Sequence, residues 1–266
     1  MKIPTQIKKL TKLVNLKEIK IDLNNLTRKQ KQALIVGGVT FALALAIFLF
    51  LFSNGYSGLH LHSKAKDGQI KVACVGDSIT YGHGISNWAQ NNYPAQLQKI
   101  LGDSYHVQNF GHSGKTVQDS TDQPYTESKQ YELSLKYDAD ILVFMLGSND
   151  SKPECFEDVS TFMAEYTSLI ASYKQRNPDI EIIICTPACA FFSDGKTDGE
   201  TDFKIRPQIV SEMRNYIRSF ALANGYKLVD IYDLTQYHPE WFKDNVHPSN
   251  DGARAIAEKV AEKIKN

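Results

Sequence analysis

A long stretch near the N-terminus lacks charge altogether: residues 32–63 contain no Asp, Glu, Lys or Arg. Within this stretch, the 20 residues 33–52 form an apolar run that would extend about 30 Å as an α-helix. That length matches the hydrocarbon core of a bilayer. The absence of charge argues against a core helix of a soluble domain, because such a helix normally carries polar residues on one face.

Cysteine is also scarce, with four in 266 residues, and none directly follows the apolar run. This absence excludes lipoprotein processing. A cleaved signal peptide is the nearest rival, but its apolar region extends to about 15 residues, and no small-x-small cleavage site directly follows Phe52. We predict that residues 33–52 are an uncleaved transmembrane signal anchor.

The chain has no net charge, although its two ends differ strongly. Residues 1–31 carry nine basic and two acidic side chains, whereas the remainder carries 21 basic and 28 acidic ones. Since positive residues stay on the cytoplasmic side of a membrane, residues 1–32 are predicted to be a basic cytoplasmic tail. The chain after the anchor is then extracytoplasmic, and no nucleic-acid partner is expected.

No internal repeat and no second folded domain are apparent beyond the anchor. Residues 53–69, rich in Gly, Ser, Lys and His, are predicted to be a linker, and residues 70–266 a single domain. The pair His60 and His62 is interpreted as part of a solvated linker, because no acidic or Cys partner lies nearby in sequence.

Short β-rich runs alternate with helical segments throughout this domain. Continuous apolar runs are typical of strands that are covered on both faces of a parallel sheet. Five strands are predicted at residues 70–76, 105–110, 140–146, 180–186 and 226–231. Helices are predicted around residues 93–101, 125–137, 156–176, 205–224 and 251–264. The alternation indicates a parallel three-layer α/β/α fold.

In such sheets ligands bind beyond the carboxyl ends of the strands, where this sequence has the groups that serine-dependent ester hydrolysis requires. Ser78 follows the first strand and is a candidate nucleophile. Asp244 and His247, three residues apart in one loop, are a candidate carboxylate and general base. Gly111 offers a backbone N–H and Asn149 a side-chain amide for an oxyanion hole.

Each of these residues also has a structural interpretation. Ser78 is a plausible N-cap, and Asp244 and His247 are plausible loop residues before the last helix. Gly111 and Gly114 suit turns with positive φ. Asn149 is, with the aspartate after it, a plausible turn residue. The catalytic interpretation is favoured because these residues follow several different strands, whose carboxyl ends lie at the same edge of the sheet.

Four blocks, "GDSIT", "NFGHSG", "LGSND" and "DNVHP", resemble in this order the motifs of the SGNH (GDSL-type) hydrolases. The resemblance covers residues 70 to about 264. It implies a flavodoxin-like α/β/α sandwich with five parallel strands and a serine esterase needing no metal or organic cofactor. It also implies Ser78 as nucleophile, His247 as base, Asp244 as its partner, and Ser78, Gly111 and Asn149 as oxyanion donors.

The segments "NNYPAQLQKILG", "GSNDSKP" and "HPEWFKDNVHPSNDGA" resemble carbohydrate and sialate O-acetylesterase-like proteins. This similarity implies acetyl esters on glycans or small molecules as substrates. Alternatives are a lysophospholipase or thioesterase, an O-acyltransferase using the same site, and an inactive glycan-binding module. The oligomeric state does not follow from the sequence.

Three further features of the domain have two interpretations each. Phe191 and Phe192 either line a pocket or cover the end of the sheet, and we favour the second. The acidic cluster of residues 194, 198, 200 and 202 fits no EF-hand spacing and is interpreted as a solvated loop. Cys155 and Cys189 follow neighbouring strands, which allows a disulfide without requiring one.

Overall fold

In the computed structural model, residues 26–53, 62–192 and 198–266 are described. By their contacts the residues divide into two compact units, Met1–Leu49 and Phe50–Asn266. Most of the predicted basic tail, His60 and the first acidic residue of the 194–202 cluster lie outside the described residues.

Helix α1 spans Arg28–Ser53. It begins after Thr27, whose Oγ1 accepts the Gln30 N–H at 3.3 Å, while the Gln30 side chain accepts the Thr27 N–H in return. Its part Arg28–Leu49 is long and apolar enough to cross a membrane, although a signal sequence would pass the same test. Side chains as large as Ile35 and Phe41 are exposed along it, 66% and 70% respectively. A helix this apolar and this exposed needs a lipid or protein environment to cover it.

The second unit contains one sheet of five parallel strands in the order β2-β1-β3-β4-β5. The strands are β1 Ile70–Gly76, β2 Tyr105–Gly111, β3 Ile141–Met145, β4 Glu181–Cys185 and β5 Lys227–Val229. This is the flavodoxin-like strand order: β2 is added on one side of β1, and the chain then crosses to add β3, β4 and β5 on the other side. The predicted fold class is confirmed.

Helices cover both faces of the sheet, as the two separate cores show. Alternate strand residues such as Cys74 and Val143 join one core with the helices at residues 93–101 and 250–265. Their neighbours, for example Val75 and Phe144, join the other core with the helices at 129–137, 159–176 and 207–223. The helices are α2 Ser78–Tyr81, α3 Trp88–Asn91, α4 Tyr93–Leu101, α5 Lys129–Tyr137, α6 Val159–Arg176, α7 Pro207–Ala223, α8 Ile231–Thr235 and α9 Asn250–Lys265.

Local capping explains where the elements differ from the predicted bounds. The predicted helix at 125–137 is divided at Ser128, which caps α5 by accepting the Tyr131 N–H after a short 3₁₀ helix. Helix α6 begins only after Asp158, whose side chain accepts the Thr161 N–H at 2.9 Å. Strand β5 is shorter than predicted because Asp230 already caps α8.

The end of the predicted linker contacts the edge strand β2. His62 bonds to the side chain of Gln108 at 3.0 Å and stacks on Phe110 with ring centroids 4.7 Å apart. Ser63 Oγ lies 2.9 Å from His106 Nε2. Residues 62 and 63 are therefore attached to the sheet, although the side chain of His62 remains exposed. Within the described ranges no group of three or more His, Cys, Asp or Glu is placed to hold a metal ion.

All four cysteines are free thiols, including Cys155 and Cys189, for which the sequence allowed a disulfide. Phe191 packs against Phe242 with ring centroids 5.2 Å apart and contacts the core beside α9. It therefore covers the end of the sheet, the interpretation favoured from the sequence.

The close approach of β2 to α2 at Gly111 can be tested by substitution. A Cβ at this position would lie 2.2 Å from the Tyr81 backbone nitrogen and 2.6 Å from the Thr80 carbonyl carbon. Because backbone atoms cannot rotate away, Gly111→Ala is expected to lower the free energy of unfolding by about 3 kcal/mol. The measurement is chemical unfolding of the full chain in detergent.

Gly225→Ala is the matched control, because its Cβ would meet nothing within 4 Å although φ is +68°. The positive φ alone should cost about 1 kcal/mol. Equal losses in the two variants would contradict the close approach of β2 to α2.

Candidate active site

Ser78 lies where β1 ends and α2 begins. The N-cap of that helix is Asp77, whose carboxylate accepts the Ile79 N–H at 2.9 Å, so the capping role considered for Ser78 belongs to its neighbour. The Ser78 hydroxyl is left to interact elsewhere, and its Oγ lies 2.9 Å from Nε2 of His247. The Ser78 N–H, in the first turn, has no acceptor within the helix.

Asp244 and His247 occupy the loop before α9 and are joined through both side chain and backbone. Asp244 Oδ2 lies 2.8 Å from His247 Nδ1, and Oδ1 accepts the N–H groups of His247 at 2.7 Å and Val246 at 3.1 Å. Because Nδ1 faces a carboxylate, we assign the neutral imidazole its proton there. Nε2 is then the acceptor for the Ser78 hydroxyl.

Opposing influences act on the Asp244 carboxyl group. Its partial burial opposes ionisation, but the hydrogen bonds from the side chain and backbone of His247 prevail and lower the pKa of Asp244 to about 2. The group is therefore a carboxylate at neutral pH. A fixed negative charge at this position favours a protonated His247 during a reaction.

Asn149 begins the short 3₁₀ helix Asn149–Ser151 that follows β3. Its Nδ2 donates to the Lys115 carbonyl oxygen at 3.0 Å, which fixes the orientation of the amide. A side-chain amide has two N–H groups, so one remains to donate into the pocket that Asn149 lines together with Ser78 and His247.

The expectation for Gly111 requires correction. Its N–H donates to Asn109 Oδ1 at 2.9 Å, and as the last residue of β2, paired with Gly76, it does not line the pocket. The chain must leave the strand before it can turn towards Ser78. Gly114 lines the pocket instead, has φ +81°, and its N–H meets no acceptor among the residues described. Sequence analysis had assigned Gly114 only a turn.

A buried carboxylate holds the loop that carries Gly114. Asp150 is completely buried and accepts the N–H groups of Val117 and Gln118 at 2.9 and 3.0 Å. Burial raises the pKa of Asp150 to about 7, against the lowering effect of these hydrogen bonds. Asn149 is the adjacent residue and bonds to Lys115 of the same loop. The pair therefore connects the ends of β2 and β3 directly beside Ser78.

The pocket beside Ser78 is small, about 120 Å³, and several of its lining residues are not predicted from the sequence. Phe203 lies perpendicular to the His247 ring at 4.8 Å, and His83 lies 4.5 Å from it. Burial lowers the pKa of His83, and the neighbouring His247 adds to this effect. Lys152 contributes a cation to the same pocket. No motif identifies Phe203, because a residue of a distant loop joins Ser78 and His247 only in the folded chain, whereas His83 and Lys152 lie five and three residues after Ser78 and Asn149.

Loss of the Asp150 carboxylate should be costly. Asp150→Ala leaves two buried N–H donors without acceptors, so we expect the free energy of unfolding to fall by about 3 kcal/mol. The ester hydrolysis that the resemblance of the four blocks implies should be slower as well, because the loop that orients Asn149 loses its anchor. Chemical unfolding and turnover of p-nitrophenyl acetate measure the two effects.

Asp158→Ala is the control, since it removes an exposed helix cap and should cost about 1 kcal/mol without loss of turnover. Equal behaviour of the two variants would show that Asp150 does not support the site.

Comparison with known proteins agrees with the resemblance inferred from the four blocks. The family model for GDSL-like lipases and acylhydrolases matches residues 74–255, more than half of the chain. An acetylxylan esterase of Xylanibacter ruminicola is 34% identical over 221 residues, which cover 75% of this chain and 44% of that protein. The chain thus spans less than half the length of this relative.

Solved structures show the same fold. A carbohydrate acetylesterase family member from Sinorhizobium meliloti aligns with a TM-score of 0.60 and 20% identity, over 74% of this chain and 98% of that one. A lipase/acylhydrolase from Enterococcus faecalis aligns with a TM-score of 0.56 and 20% identity, over 74% and 96%. At these identities the alignments establish the fold alone. The family match, over more than half of the chain, identifies it as a member of the GDSL-like lipase/acylhydrolase family.

Proposed function

We propose that the protein is a membrane-anchored serine esterase that removes acetyl groups from carbohydrate outside the cytoplasm. The observation that carries the catalytic part is the continuous hydrogen-bond chain from Asp244 through His247 to Ser78, with distances of 2.8 and 2.9 Å. A carboxylate, an imidazole and a hydroxyl in this order are the parts of a serine hydrolase.

Each group then has a role in the reaction. His247 accepts the Ser78 proton as Oγ attacks the ester carbonyl, and Asp244 stabilises the resulting imidazolium. The oxyanion accepts hydrogen bonds from the Ser78 N–H, the Gly114 N–H and Asn149 Nδ2. His247 next protonates the leaving alcohol. It then takes a proton from water, which attacks the acyl-enzyme and releases the acid and Ser78.

The size of the pocket favours a short acyl group. Phe203, Ile205 and Val246 form its apolar wall, and its volume of about 120 Å³ leaves little room for a long chain. The acetylxylan esterase relative supports acetyl as that group and a polysaccharide as its carrier. The lipid-esterase alternative would require an extended apolar groove leading from Ser78, and the lining of this pocket does not favour it.

The sequence and α1 support the proposed location. Residues 1–31, with nine positive and two negative side chains, precede the apolar run 33–52. Such a flank favours a cytoplasmic N-terminus. The catalytic unit would then face the exterior, where polysaccharides are found.

Acyl-chain preference tests the proposed substrate class. We expect p-nitrophenyl acetate to be cleaved faster than the butyrate and the octanoate. Phe203→Ala, which opens the pocket, should raise the butyrate-to-acetate ratio of kcat/KM by about tenfold, because each accommodated methylene is worth about 1–3 kcal/mol. Phe191→Ala is the matched control, since this ring packs on Phe242 away from the pocket and should leave the ratio as it is.

Ser78→Ala provides the mechanistic control for this series. Its kcat should fall by about 10⁴-fold or more on every ester, because the nucleophile is lost. Wild-type preference for octanoate would contradict the acetyl assignment, and turnover that survives in Ser78→Ala would contradict the mechanism.

Membrane topology is tested by protease treatment of intact protoplasts. With an epitope tag at each end of the chain, we expect the C-terminal tag to be digested and the N-terminal tag to be protected. Digestion of both tags only after lysis would contradict the extracytoplasmic location, and a soluble, shortened product would indicate a cleaved signal.

A further inference from the structure

A second cavity, the groove, adjoins the small pocket at Ser78. It has a volume of about 510 Å³, in the range of small-ligand sites, and Asp244 and His247 line it together with Trp241, Lys243 and Ser86. His247 lines both cavities. In addition, His83 and Val246 of the small pocket are adjacent in sequence to Gly84 and His247 of the second cavity. The imidazole therefore lies between the small pocket and the larger groove.

The reaction decides which part of an ester each cavity receives. His247 must protonate the oxygen of the leaving alcohol, which therefore has to lie within hydrogen-bond reach of the imidazole. With the acyl group in the small pocket, the alcohol is directed to the side of His247, where the groove begins. We propose that this groove is a subsite for the sugar chain bearing the ester, and that it prefers neutral glycans. This inference rests on the proposed esterase function.

The lining of the groove fits a neutral polyol. Trp241 supplies an aromatic surface, against which the C–H groups of a sugar ring pack favourably. Ser86, Ser249 and Asn250 supply hydroxyl and amide groups that match sugar hydroxyls. Pro248 is the one aliphatic lining residue, so the groove lacks the continuous apolar wall that an acyl chain would need.

Trp241 is held in position before any ligand arrives. Its ring stacks on His238 with centroids 3.9 Å apart and planes 6° from parallel, and His238 is itself bonded to Glu240 at 2.8 Å. The Trp241 carbonyl accepts the Ser249 N–H at the start of α9. A rigid aromatic side chain loses little conformational entropy on binding, which favours affinity.

Charge argues against an acidic glycan. Three carboxylates, Glu240, Asp244 and Asp251, line the groove, against one ammonium group, Lys243. Arg254 pairs with Asp251, whereas Glu240 and Asp244 are bonded to the imidazoles of His238 and His247, so three carboxylates face the two cations of Lys243 and Arg254. Uronate groups would therefore meet a surface with an excess of like charge, which disfavours their binding.

The kinetic test compares an acetylated neutral xylo-oligosaccharide with p-nitrophenyl acetate, using the full chain in detergent. Trp241→Ala should lower the ratio of kcat/KM for oligosaccharide over p-nitrophenyl acetate by about tenfold, equal to about 1.4 kcal/mol. Trp241→Phe, which keeps a ring, should recover part of the ratio. Gln90→Ala is the control, because Gln90 is exposed and lines a different groove of about 520 Å³. An unchanged ratio in Trp241→Ala overturns the proposal.

A binding test needs no hydrolysis and so separates the subsite from the esterase assignment. The chain has two tryptophans, Trp241 in this groove and Trp88 in the other. In Trp88→Phe, deacetylated xylo-oligosaccharide should cause a saturable change in the remaining indole fluorescence, and an oligogalacturonate of equal length should not. A response retained in Trp241→Phe, or a preference for the acidic oligosaccharide, overturns the proposal.

The two tests also distinguish the possible failures. A wild-type enzyme that binds xylo-oligosaccharide at Trp241 but leaves its acetyl groups in place would refute the proposed carbohydrate esterase and retain the subsite. A wild-type enzyme that removes the acetyl groups, with no effect of Trp241→Ala, would refute the subsite and retain the esterase.

Discussion

The hydrogen bond between Ser78 Oγ and His247 Nε2, 2.9 Å long, joins two residues that are 169 positions apart in the chain. It forms only if the first and last parts of the catalytic unit are fixed relative to one another. The parallel sheet provides this, since β1 delivers Ser78 to its carboxyl edge. Helix α9 packs beside α4 on one face of the same sheet and holds the loop of Asp244 and His247 over that edge. Small displacements of either part would break the contact, because hydrogen bonds tolerate only a few tenths of an ångström.

Some residues of the motif blocks have a candidate role in the reaction, and others hold them in position, as two buried acids next to the site show. Asp77 precedes Ser78 and caps α2, while Asp150 follows Asn149 and holds the loop of Gly114 and Lys115. Burial raises the pKa of both carboxyl groups, which shows that burying each one reduces the stability of the folded state. What they provide is orientation: each fixes the backbone from which an adjacent residue projects into the pocket.

The two cavities indicate where the acyl group and the alcohol of an ester would bind in the proposed reaction. The small pocket, with its apolar wall at Phe203, suits an acyl group, and the polar groove at Trp241 suits the alcohol that leaves. His247 lies between them, where a general acid has to be. In the proposed function, an acyl pocket and a glycan groove that share the His247 imidazole favour polymeric substrates over lipids. The apolar, exposed helix α1 would hold such an enzyme at the membrane.

The sequence by itself predicted the sheet and most residues of the candidate site. Continuous apolar runs mark β3 and β4, because strands covered on both faces exclude polar residues, and the motif blocks indicate Ser78, Asn149, Asp244 and His247 as candidates. Side-chain capping, which depends on local geometry, shifted the ends of α5, α6 and β5. Only the tertiary structure shows that Gly114, and not Gly111, lines the pocket, because both glycines belong to one block and the difference depends on where β2 stops pairing with β1. It also brings Phe203 and His83 to His247, since side chains from separate loops become neighbours only when the sheet aligns them.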